Sequence, residues 1–126
     1  MKRDMDLIRQ ILLYVESEMP SHESVFVLPH NAFSNVSYDV VASHLEIMVT
    51  ANLLMNGSGL VADDYAEVRG ITSYGYDYLD AVRDDELWRR TKDAASKAGG
   101  FTIDVLKQVA VGLIKTQLKK HTGVEI

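Results

Sequence analysis

The chain has 126 residues, 47% of them hydrophobic and 25% charged, with a formal net charge of -5 and no cysteine. That size and balance suit one compact core with an appended helix rather than a disordered tail, and the missing cysteines exclude a disulfide framework, a cysteine-ligated zinc site and thiol catalysis. The charge is segregated: residues 1–9 hold three cations and two acids, residues 10–68 hold eight acids and no lysine or arginine, and residues 69–126 hold ten cations and eight acids.

The opening MKRDMDLIRQILLYVESE sets Met5, Ile8, Ile11, Leu12 and Val15 at three- and four-residue spacing, with Asp4, Asp6, Arg9 and Glu16 on other faces. The spacing predicts an amphipathic helix over residues 3–18, ended by Pro20. Asp4, Asp6 and Arg9 break the apolar run of a secretory signal, no stretch is apolar enough to span a bilayer, and the expected location is the cytoplasm. SVFVLP has the β-branched and aromatic density of a short edge strand stopped by Pro29. After the polar HNAFSNVS, where Ser34, Asn35 or Ser37 serves as cap, a helix buries Val41, Leu45, Met48 and Val49 and turns Asp39, Ser43, Glu46 and Thr50 to the other side. Residues 53–71 read as a hairpin with turn signals in NGSG, the wing of the fold. Thr72 caps a helix through Tyr76, Leu79 and Val82, and DDELWRRTKDAASKAGG either continues it or opens another that stops at Gly99 and Gly100. A last helix from Thr102 carries a broad apolar stripe through Ile103, Leu106, Ala110 and Leu113 to Leu118.

This order, with room for a short helix in residues 31–38, predicts a mostly helical α+β fold. Residues 1–98 form a winged helix-turn-helix-like domain with a small sheet, and residues 99–126 form a C-terminal helix for packing or dimerisation.

Three stretches, MKRDMDLIRQIL, SHLEIMVTANLL and ITSYGYDYLDAVRDDELWRRTK, resemble the bacterial and prophage-borne family catalogued as domain of unknown function 2513; together they span most of residues 1–92. The third is the most specific. Its family counterpart reads like L-T-W-E-G-H-x-F-L-D, so Ser73 stands in place of tryptophan and Tyr76 in place of histidine, while Asn52 occupies the glycine of an alanine-glycine-leucine turn. The resemblance implies a winged-helix-like fold and a phage or prophage setting, and no activity.

His22, His30, His44 and His121 are scattered, without the i, i+4 pairing that puts two metal ligands on one helix face, and NGSG lacks the lysine and hydroxyl of a phosphate-binding loop. No catalytic residue, metal or cofactor is therefore expected. His44 reads as a hydrogen-bonded packing residue and Trp88 as core. Arg83, Arg89, Arg90, Lys92 and Lys97 are interleaved with Asp84, Asp85, Glu86 and Asp93, a solvated face of local ion pairs. The helix placed to read DNA carries no lysine or arginine, and the hairpin adds Asp63, Asp64 and Glu67 against Arg69 alone. Phosphates would meet like charge. The expected role is non-enzymatic binding of a protein partner through Asp39, Ser43, Glu46, Thr50, Asp63, Asp64 and Glu67, with a DNA-binding regulator as the alternative. Ile103, Leu106, Ala110 and Leu113 are the expected homodimer seam.

Overall fold

The computed structural model describes residues 1–19, 25–29, 31–62 and 65–123, side chains of 57–62 and 65 excepted. Among them are five helices and a three-stranded antiparallel sheet, a mostly helical α+β arrangement. The chain divides into two compact units, Met1–Asp77 and Tyr78–Ile126. The sequence pattern set apart only the last helix, from residue 99.

In the first unit, α1 (Met5–Glu18) starts at Asp4, whose carboxylate accepts the Leu7 N–H at 3.1 Å, and its apolar stripe is buried, with Ile8, Ile11 and Leu12 wholly so. Strand β1 (Phe26–Val27) is short and ends before Pro29. Residues 31–36 form turns, closed by Ala32 N–H to the Pro29 carbonyl (3.2 Å) and Val36 N–H to the Phe33 carbonyl (3.3 Å), where the sequence left room for a short helix. Helix α2 (Tyr38–Thr50) buries Val41, Leu45 and Met48 and leaves Val49 half-buried.

The end of α2 sets the direction in which the chain enters the sheet. Asn52 N–H reaches the Val49 carbonyl (3.0 Å) and Leu53 N–H the Met48 carbonyl (2.8 Å), with Asn52 left-handed at φ 63°. That is a Schellman ending, which needs glycine or, next best, asparagine at this position. The turn glycine of the family pattern therefore has a backbone reason, and Asn52 meets it.

Strands β2 (Leu54–Ala62) and β3 (Tyr65–Ile71) pair antiparallel, and β1 adds to the other side of β3, giving the order β1-β3-β2. Pairing continues to Ala62↔Tyr65, so NGSG lies inside β2 and not at the hairpin tip. The ladder register shifts between Met55 and Asn56 and again between Asn56 and Val61. Glycines in a strand interior mark such irregularities as readily as turns.

Thr72 caps α3 (Ser73–Val82): its hydroxyl oxygen accepts the Gly75 N–H at 2.8 Å, while its O–H is shared between the Asn52 (2.5 Å) and Leu53 (3.2 Å) carbonyls and its N–H donates to the Leu53 carbonyl at 3.1 Å. A Cβ on Gly75 would stand 2.1 Å from the Leu53 carbonyl oxygen and 2.7 Å from Ile71 Cγ2. The first turn of α3 thus rests directly on the main chain that leaves α2. Thr72 and Gly75 coincide with the T and G of the third family stretch, and this contact explains both.

In the second unit, Asp84 caps a separate helix, α4 (Asp85–Ala98), by accepting the Leu87 N–H at 2.8 Å. Gly99, left-handed at φ 94°, ends it. Thr102 then opens α5 (Ile103–Thr122), accepting the Val105 N–H at 3.0 Å. A four-residue connection makes α4 and α5 neighbours, and they pack together. Trp88 (4% exposed) is core, as expected. Lys92 Nζ lies 5.6 Å from the centre of its ring.

Candidate interaction surface

Spacings of four, three and four residues put Asp39, Ser43, Glu46 and Thr50 on one face of α2. Asp39, Glu46 and Thr50 are exposed and Ser43 is half-buried. Both hydroxyls donate to their own helix, Ser43 to the Asp39 carbonyl (2.9 Å) and Thr50 to the Glu46 carbonyl (2.8 Å). Each has thereby spent its one proton, so this face offers acceptors and negative charge.

An open depression of ≈ 520 Å³ lies beside it, its apolar lining from Met1, Ile47 and Ala51 and its polar lining from Arg3, Ser43, Glu46 and Thr50. Arg3 is the cation that reading in chain order misses. Sequence position separates it from α2 by more than a helix, and only folding brings it to the same hollow.

His44 lies on the inner side of α2, 0% exposed. Its Nε2 accepts the Asp4 N–H at 2.9 Å, which leaves the ring proton on Nδ1 to donate to the Val40 carbonyl at 2.8 Å. Both ring nitrogens are spent in joining α2 to the start of α1, a structural role. A second hollow, ≈ 370 Å³, runs between the first turns of α1 and residues 32–36, with Asp6, Gln10, Phe33 and Asn35 in its wall. Phe33 stacks at a tilt on Tyr14, ring centres 5.4 Å apart.

The other expected residues fall out differently. Asp63 and Asp64 lie outside the described residues. Glu67 is buried (8% exposed) and engaged in an interaction, against the expectation of a surface carboxylate. The reason is its strand: β3 is central, with β1 on one side and β2 on the other, and Glu67 sits opposite Val27. Arg9, on the helix packed against β3, is also buried (4% exposed) and engaged. On α5, Ile103, Leu106 and Ala110 are 6%, 0% and 0% exposed and Leu113 is half-buried. The expected seam is thus already covered within one chain at its first three positions. The basic stretch is paired locally, as its spacing suggests: Arg83 with Asp80 (2.9 Å), Arg89 with Glu86 (2.8 Å) and Lys97 with Asp93 (3.3 Å). Among the described residues no helix is long and apolar enough to cross a membrane.

The model of a family described as "Hypothetical protein (DUF2513)" matches residues 2–101. An "Uncharacterized protein" of Haemophilus influenzae is 32% identical over an alignment 126 positions long, which covers 94% of this chain and 99% of that protein. No solved structure matches.

Proposed function

The chain belongs to this DUF2513 family, and on that footing we propose that it is a non-enzymatic, winged-helix-like module that binds a protein partner through the outer face of α2. The observation that carries the reading is the chemistry of that face: two exposed carboxylates, two hydroxyls whose protons are committed to the helix, and no lysine or arginine on the helix. A DNA reader gains affinity from lysines and arginines that neutralise phosphates, and base readout leans on donors that α2 does not offer. A basic or mixed protein surface suits it better. The winged-helix element of the proposal draws support from a helix set before a hairpin and from the sheet order β1-β3-β2.

The same order of elements favours the second reading, a sequence-specific DNA-binding regulator. Fluorescence anisotropy with generic duplex DNA separates the two. The expected trace is flat to about 10 μM protein at about 50 mM salt; binding below about 1 μM that weakens as salt rises would reverse the order of the readings.

A further inference from the structure

Helix α5 is longer than the helix it packs on, 20 residues against 14, and from Lys115 to Gly123 every residue is exposed. At about 100° per residue, Val111, Ile114, Lys115, Leu118 and Lys119 share a second face, centred about a third of the way round from the buried Ile103, Leu106 and Ala110, with Ile114 at the boundary between the two. Val111 and Ile114 are half-buried, Leu118 is 39% exposed, and Lys115 and Lys119 flank them. No acidic residue occurs between Val105 and Thr122. This apolar ridge edged with lysine is the chemical complement of the α2 face, whose apolar hollow at Ile47 and Ala51 is edged by Glu46 with Asp39 on the same face.

We infer that the partner of the α2 face is a second copy of this chain, seated through α5: Ile114 and Leu118 enter the Ile47 and Ala51 hollow, and Lys115 and Lys119 meet Glu46 and Asp39. The inference rests on the proposed protein-binding role of α2 and names its occupant. Exposed ion pairs contribute little each, so the contact is weak, salt-sensitive and carried jointly by the apolar ridge. Arg3, on the rim of the same hollow, opposes the lysines.

Sedimentation velocity over a range of concentrations, at about 0.01 M and about 1 M salt, where the screening length falls from about 30 Å to about 3 Å, tests this. The intact chain associates as concentration rises at low salt and not at high salt. Lys115→Glu with Lys119→Glu abolishes association, as does Asp39→Lys with Glu46→Lys. An equimolar mixture of the two variants restores it, since each then offers the charge the other lacks, and restoration requires both to be folded. Arg3→Glu strengthens it. An intact chain monomeric throughout, or reversals that leave association unchanged, overturns the inference. If the intact chain is monomeric while the α2 reversal still strips a captured protein from a host lysate, the second copy is excluded and the protein-binding role of α2 stands.

Discussion

Gly75 is the residue whose side chain matters by its absence. A methyl group there would lie inside contact distance of the Leu53 carbonyl oxygen, so alanine must push α3 off the chain leaving α2. Overpacking against main chain costs about 3 kcal/mol or more, and Gly75→Ala should lower the denaturant midpoint accordingly. The neighbouring positions give graded outcomes from the same geometry. Thr72→Ser keeps both the cap and the donated proton and stays near wild type, whereas Thr72→Ala loses about 1–2 kcal/mol. Asn52→Gly matches or exceeds wild-type stability because the left-handed backbone suits it, and Asn52→Ala loses about 1 kcal/mol. Thr91, in the other unit, has the opposite sign. It is 0% exposed and its hydroxyl has no hydrogen-bond partner among the described residues. Thr91→Val removes an unsatisfied group while keeping the shape, and should raise stability by about 1 kcal/mol. A destabilised valine variant would mean that the hydroxyl has a partner, such as a trapped water.

Among the elements, the helices were legible because each carries its own period and its own caps. Asp84 before a run of acids, Thr102 before an apolar stripe and Gly99 after a basic last turn are local signals, and the structure uses all three. The path of β2 was not legible, since asparagine and glycine favour a turn and an irregular strand alike. Nor was the burial of Glu67, which depends on β3 being central rather than on any property of its neighbours in sequence. The stripe on α5 is covered at Ile103, Leu106 and Ala110 and exposed by Leu118, since a 3.6-residue period marks an apolar face without saying how far along it a neighbour reaches. Arg3 and Glu46 line one hollow although more than forty residues separate them, a placement that no local pattern encodes. The overhang of α5 supports a prediction at this scale. A chain shortened to end at Thr116 loses residues that are exposed from Gln117 through Gly123, so its melting temperature falls by no more than a few degrees. It also loses Leu118 and Lys119 and stays monomeric in sedimentation at low salt. A large drop in melting temperature would show that the overhang is needed for folding.

Across the whole molecule, the first 77 residues hold four cations and eleven acids, and the last 49 hold nine cations and seven acids. Like charge concentrated in the first unit opposes its compact state, whereas the local ion pairs Arg83–Asp80, Arg89–Glu86 and Lys97–Asp93 are exposed and individually worth less than about 1 kcal/mol. Net repulsion should therefore outweigh pairwise attraction, and added salt should stabilise the fold. The melting temperature at neutral pH and low protein concentration is expected to rise by several degrees between about 0.01 M and about 1 M sodium chloride. Low concentration matters because association through α2 and α5 would itself stabilise the folded state by mass action and would mask the trend at low salt. Salt thus moves the two observables in opposite directions: folding strengthens while association weakens. A melting temperature that falls with salt in dilute solution would show that attractive pairs dominate the first unit as well, and would remove the charge imbalance from the account of how α2 chooses its partner.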